Sequence, residues 1–291
     1  MERPFRLWVH VAKVKQAALA ALFLLAASDC ADEGDAENRA RMKAAATAAA
    51  LRHQFDDPAR PDSLRLAVGR SLVRLDPEFL ASRYARQPVL VRGLIDEAVA
   101  AGDTTALPLV ARLFEIRGGE ERIDFEVDLI AFGGAARSRL VEMLGRSDGS
   151  LVVRAANVLA RTGALEASAD IAPLLQHRDD WIRIGAAHAL GQLETGAATQ
   201  ALLTALSDTV YTVVNAALVG LAKQHSAMAY EPALALLGDD RPEVRKHAAH
   251  ALGEIGNPAA LEVLGRVSRE DPNSGVRFMA SRALQALRDV K

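Results

Sequence analysis

The chain has 291 residues, of which 50% are hydrophobic, 25% charged and only 4% aromatic. The apolar part is mostly Ala and Leu, which marks a globular, helix-rich protein and excludes a disordered one. A net charge of −2 with a pI near 6.4 supplies no overall attraction for nucleic acid, which is not expected as a partner, and the lone Cys30 forbids an internal disulfide.

Residues 1–29 read as a signal peptide. Arg3, Arg6, Lys13 and Lys15 precede an apolar run from Ala17 to Ala27, whose eleven residues fall short of the roughly 20 that span a bilayer. Cys30 follows directly. The stretch Leu25-Ala26-Ala27-Ser28-Asp29-Cys30 resembles a bacterial lipobox, in which the cysteine is acylated after cleavage. It departs from that pattern at Asp29, where a small residue is expected. Two alternatives stay open: cleavage after Ala26-Ala27-Ser28 to leave a soluble exported chain, and a cytoplasmic protein with an uncleaved N-terminus. The expected location is the periplasmic side of the cell membrane or outer membrane. Loss of residues 1–29 leaves 31 basic against 35 acidic residues, a net charge of −4.

Residues 30–61 are expected to form an acidic tether (31–37) and an Ala-rich N-terminal capping helix over 36–55, closed by Asp56-Asp57-Pro58 and Arg60-Pro61-Asp62. From 62 to 291, segments of helical periodicity alternate with short Gly, Asp or Pro breaks. Here the chain repeats itself. Leu151, Ile182, Val213, Val244 and Val276 fill one slot; Ala155, Ala186, Ala217, Ala248 and Ala280 a second; Leu159, Leu190, Leu221, Leu252 and Leu284 a third, at a step of 31 residues and once 32. Such a period identifies stacked units, each too small to bury its own apolar face. A second helix repeats in step, with Leu113, Leu144, Leu175, Leu206 and Leu237 in one slot. Leu109, Leu140, Ile171, Leu202, Ala233 and Leu264 lie four residues earlier, so that the two slots make one helical face. Upstream, the pairs 89–115 and 120–146 keep the second helix but have degenerate first helices, with Gly118-Gly119 and Gly133-Gly134 as breaks. Residues 62–85 form a further weak unit, giving about seven units and a terminal half at 272–290.

The turns carry their own signals. In Asp240-Arg241-Pro242-Glu243 the aspartate is placed to cap the first helix and the glutamate to bond back. Asp271-Pro272 repeats the device, and Asp148, Asp179 and Asp208 stand similarly. Gly163, Gly196 and Gly256 fall where a first helix should end in a left-handed turn.

These units, best seen in 181–191, 244–256 and 276–284, resemble HEAT-type helical repeats, particularly the subclass found in phycobilisome (bilin) lyases. The resemblance implies an all-α, right-handed superhelix and is nearly silent about chemistry, since fold alone does not assign function.

Glu243, His247, His250 and Glu254 form one helical stripe, and such groups can bind a divalent metal. The apolar side of that helix is set by Val244, Ala248, Leu252 and Ile255, which leaves the stripe on a solvated surface without supporting partners. Deoxyhypusine hydroxylase, an iron enzyme of similar repeats, uses adjacent His-Glu pairs, and no His here is followed by Glu. His188 and His250 share a slot two units apart, roughly 20 Å at the spacing of packed helices. No metal, cofactor or catalytic residue is expected. A bilin-lyase-like or metal-dependent enzyme, or an enzyme accessory, is the alternative to the favoured reading, a non-catalytic protein-binding scaffold. Trp181 and Tyr211 lie near first-helix starts, either as contact residues or packed on a neighbouring turn.

Two residues beyond the second-helix core slots lies the opposite face, about 200° round the helix. That outward row reads Ala111, Glu142, Pro173, Thr204, Ala235 and Arg266, flanked by Pro108, Arg139, Asp170, Ala201, Pro232 and Val263. Small and sparsely charged, the row with Arg139 is the expected face for a protein or peptide partner; a plain Ala-rich helix surface is the bland alternative.

Overall fold

The computed structural model describes residues 33–116, 121–164 and 166–289. Among them every regular element is helical, and the protein is an α-solenoid of stacked helix pairs. The chain divides into two compact units, 1–125 and 126–291.

The first unit begins with α1 (Glu33–Asp56), the Ala-rich helix expected over 36–55. It follows with α2 (Asp62–Leu75), α3 (Pro77–Arg83), α4 (Pro88–Ala101) and α5 (Leu107–Ile116). Asp76 separates α2 from α3. Its carboxylate accepts from the Phe79 amide and so caps α3, whose first residue, Pro77, has no amide to satisfy. Helix α4 ends at Gly102, which is left-handed at φ 64°. The helix α6 (Glu121–Ala131) carries the division between the units.

The second unit contains the regular repeats. First helices are α8 (Gly149–Arg161), α10 (Asp180–Leu190), α12 (Tyr211–Lys223), α14 (Pro242–Ile255) and α16 (Ser274–Asp289). Second helices are α7 (Arg137–Leu144), α9 (Ala167–Ile171), α11 (Gly196–Ala205), α13 (Tyr230–Leu236) and α15 (Leu261–Glu270). Each first helix packs against the next one and against second helices. The alanine slot is fully buried at all five positions, Ala155, Ala186, Ala217, Ala248 and Ala280, each 0% exposed, and the flanking Leu, Ile and Val slots are buried with it. Small residues there let the helices approach closely. A Cβ added to Gly191 would lie 2.6 Å from the Gly220 Cα, and one on Gly253 2.8 Å from the Ala283 Cβ. The second-helix slots Leu140, Ile171, Leu202, Ala233 and Leu264 are likewise buried, whereas Leu144 is only half-buried. Helix α9 is short because Pro173 supplies no amide and disfavours the α-helical turn before it; the segment continues as a 3-10 turn over Ala172–Gln176.

The turn chemistry differs from expectation at three places. Asp240 does not cap α14. The Asp239 carboxylate, one residue earlier, accepts from the Arg241 amide and binds the Arg241 guanidinium, and the N-cap residue Arg241 makes no side-chain cap. Asp271 accepts from the Asn273 amide, while Asn273 itself caps α16 through the Gly275 and Val276 amides. Gly196 is not a left-handed terminator. It opens α11 behind the Thr195 cap, and in the following repeat the position equivalent to Gly163 (φ 73°) and Gly256 (φ 76°) is held by His225 at φ 46°. Asp148 and Asp179 cap α8 and α10 as read from the sequence, and Asp208 accepts from the Val210 amide.

Candidate partner-binding surface

In the second unit the core slots of the second helices turn the residue two positions on towards solvent, because two steps of 100° nearly reverse the direction of a side chain. Glu142, Pro173, Thr204, Ala235 and Arg266 are accordingly exposed, and Arg139 beside them is exposed too. Ala111 is not. It lies in the first unit and is 5% exposed within α5, where Leu109, Val110, Leu113 and Phe114 are also buried. A helix buried on nearly all sides has no outward row, and Ala111 is removed from the proposed face.

Charge on the row is largely self-neutralised. Glu142 accepts from Arg139 at 3.4 Å and from Arg146 at 3.2 Å, all three side chains about half exposed, so these pairs position charge more than they stabilise the fold. Asp170, flanking Pro173, is tied by a bidentate bond to Arg137, at 2.7 and 2.9 Å, and faces no partner freely. Beside Thr204 the surface dips into a cleft of about 500 Å³ lined by Leu175, Gln176, His177, Arg183, Thr204 and Asp208. Its charges are spent internally: Arg183 donates to both Asp208 carboxylate oxygens and to the His177 carbonyl. The row is therefore a nearly neutral strip of small side chains with one polar depression at its middle.

The stripe on α14 offers less. Glu243 and Glu254 are exposed and His247 and His250 half-buried, with 3.9 Å between the His250 imidazole and the Glu254 carboxylate. Burial, reinforced by Lys246 and His250, lowers the pKa of the His247 imidazole from its ordinary value. Among the described residues no three His, Cys, Asp or Glu side chains gather as metal ligands do. Trp181 and Tyr211 are exposed, at 59% and 43%, which leaves them available for contact. Cys30 and residues 1–29, read from the sequence as a signal peptide, lie outside the described residues.

Sequence reading passed over the side chains that join successive repeats. Arg183 binds Asp208 and Arg245 binds Asp271, each through two guanidinium nitrogens to both oxygens. The Nη1 of Arg183, Arg245 and Arg277 each reaches two backbone carbonyls of its own turn. The signal was present: the three arginines share one slot, directly after the apolar slot, and Asp208, Asp239 and Asp271 share another. Gln224 was passed over as well, although it bonds Thr199 and the carbonyls of Leu190 and Leu193.

Among solved structures, the chain is similar to an engineered protein, with 23% identity over 67% of this chain and 96% of the other and a TM-score of 0.42. Human deoxyhypusine hydroxylase in complex with glycerol aligns at 18% identity over 85% and 98%, TM-score 0.39. The complex of CpcE and CpcF of phycocyanin lyase from Nostoc sp. PCC7120 aligns at 20% identity over 62% and 76%, TM-score 0.43. No curated protein sequence matches the chain. The family model described as HEAT repeats matches residues 137–222 and 215–285, just over half of the chain, and the protein belongs to the HEAT-repeat family.

Proposed function

We propose that this protein is a non-catalytic, protein-binding scaffold of the bacterial cell envelope, exported by residues 1–29 and held at the membrane by acylation of Cys30. The observation that carries the binding reading is the exposed, nearly neutral row Glu142, Pro173, Thr204, Ala235 and Arg266, which repeats along the second helices and is backed by a rigid layer of buried Leu, Ile and Ala. Small side chains let another chain approach the helix backbones, and Arg139, Glu142 and Arg266 supply orienting charge at intervals. An open strip of this kind suits an extended peptide or a partner helix better than a small substrate, which needs an enclosed pocket. The lipobox-like Leu25–Cys30 stretch supports the anchor. No helix among the described residues is long and apolar enough to cross a membrane; the anchor proposed for this body is the acyl chain.

The test is capture of the native partner from detergent-solubilised membranes. Thr204→Arg with Ala235→Glu places charge at the centre of the row, where it would have to be dehydrated unpaired, and should abolish co-purification. His247→Ala with His250→Ala, on a first helix, should leave it intact; the reverse outcome moves the site to the first helices. Cys30→Ser should shift the protein from the membrane to the soluble envelope fraction, and unchanged fractionation would refute the anchor.

A further inference from the structure

The cleft of about 500 Å³ beside Thr204 is built largely from the turns that precede α10 and α12, with Leu175 and Ala205 as its apolar side. Its polar groups are held in fixed roles. The His177 Nδ1 accepts from the Asp179 amide at 3.0 Å, so the neutral ring carries its proton on Nε2, which is a donor. Arg183 gives Nε and Nη2 to the two Asp208 oxygens at 2.8 and 3.2 Å, and Nη1 to the carbonyls of His177 and Arg178. These bonds take every N–H of the guanidinium except one on Nη2. The Thr204 hydroxyl donates to the Gln200 carbonyl at 3.1 Å, which leaves its oxygen as an acceptor. Gln176 and Ser207, both exposed on the cleft, offer groups that donate and accept.

These groups select a ligand by charge and by hydrogen-bond sense. Arg183 and Asp208 already neutralise each other, with side chains only 13% and 14% exposed, so a carboxylate or an ammonium entering the cleft would lose its water without gaining a free counter-charge. An aliphatic group would cover the His177 and Arg183 donors and leave them without partners. Among the described residues no Phe, Tyr or Trp lines the cleft to stack on a base or a sugar ring. A neutral group that both accepts and donates, carried on a short apolar stem, meets all of these conditions. Among protein side chains that group is the primary carboxamide.

We propose that this cleft is the specificity pocket of the binding row and takes the carboxamide of an asparagine or glutamine side chain of the partner, its oxygen towards the His177 and Arg183 donors and its amino group towards the Thr204 oxygen. The inference rests on the scaffold reading for the source of the amide, since Thr204 both belongs to the exposed row and lines the cleft. The preference of the cleft itself is measured without any partner.

Nuclear magnetic resonance titration of the full chain with capped amino acids tests it, the probes being the N-acetyl, N′-methylamide forms of glutamine, glutamate and leucine. All of them share the same backbone amides, so a difference between them reports the side chain alone. The glutamine probe should shift the resonances of residues 175–177 and 204–209 at about tenfold lower concentration than either of the others. Equal responses, a response led by glutamate or leucine, or no response to any probe overturns the proposal without need of a variant. His177→Asn keeps an oxygen for the Asp179 amide, as in an Asx turn, but ends short of the Nε2 position. It should melt like wild type and weaken the glutamine response about tenfold; a folded variant that responds like wild type overturns the part given to His177. Each failure strikes the pocket alone, because the scaffold reading is judged separately, by capture of the native partner with Thr204→Arg and Ala235→Glu.

Discussion

In the first unit large side chains fill the space between helices, whereas in the second the helices are brought together until little space is left. Phe55 is fully buried and meets Phe79 edge to face at 6.1 Å, with the Arg83 guanidinium 4.5 Å over the Phe79 ring. Arg83 also grips both oxygens of Asp56, Arg52 bonds Asp76, and Tyr84 packs on Phe125 at 5.4 Å. Nothing in that web recurs at a fixed step. In the second unit Ala and Leu recur at the same slots of every first helix, with Leu, Ile or Val at the third, and the ties of Arg183 to Asp208 and Arg245 to Asp271 run from one turn to the next. A packing made of large, individually fitted groups can drift in sequence while it still fills volume; one made of close helix crossings cannot, because a single added methyl meets backbone.

The largest expected effect separates the two styles. Ala186→Asp buries an unpaired charge at a position with 0% exposure and should destabilise the second unit by about 3–5 kcal/mol. Phe55→Ala in the first unit removes a buried ring and should cost about 3 kcal/mol through the cavity it leaves. Because a cavity can partly collapse and a buried charge cannot, Phe55→Leu should recover most of that loss, while Ala186→Ser should not reproduce the Ala186→Asp effect. Chemical denaturation followed by circular dichroism measures all four; an Ala186→Asp protein that melts like wild type would mean the alanine slot is not where first helices cross.

That contrast explains what the sequence could reveal. The first-helix slots were legible because close packing forces the same small residue to recur, and all fifteen residues assigned to them are buried. The exposed row from Glu142 to Arg266 followed from helix geometry alone. Its extension to Ala111 failed because α5 packs on several sides, which a two-residue offset cannot foresee. The joints were legible only in part: Asp239 and Asp240 are chemically alike, and which of them turns back on the Arg241 amide depends on where the chain leaves α13, a matter of backbone path.

A smaller effect tests the ties themselves. The hydrogen-bonded Arg245 guanidinium holds the Asp271 carboxyl below its ordinary value of 3.8, against the opposing influence of burial. A group whose pKa is lowered by folding adds stability that is fully present above the unfolded-state value and is lost as pH falls through the folded-state value. Asp271→Asn should therefore cost about 1.5 kcal/mol at neutral pH, and the gap between variant and wild type should close as pH drops below about 4. The same substitution at Asp239 should cost less, because its partner Arg241 lies two residues away on the same turn and reaches the preceding repeat only through a 3.4 Å contact with the Thr209 carbonyl. Equal losses at the two positions would show that the bond acts within the turn and does little to join repeats.

The smallest effect concerns one residue that breaks the pattern. His225 takes a left-handed conformation at φ 46° where the equivalent positions hold Gly163 and Gly256, and its Nδ1 donates to the Glu254 carbonyl at 2.7 Å, from the end of α12 to that of α14. An L-residue in that conformation costs about 1–2 kcal/mol, and a hydrogen bond of this kind returns about 1 kcal/mol. His225→Gly removes strain and bond together and should be neutral within about 0.5 kcal/mol. His225→Ala keeps the strain and loses the bond, and should destabilise by about 1 kcal/mol. If Ala and Gly prove equally stable, the left-handed turn carries no strain; if Gly too is clearly less stable than wild type, the bond from imidazole to the Glu254 carbonyl outweighs the backbone strain that Gly relieves.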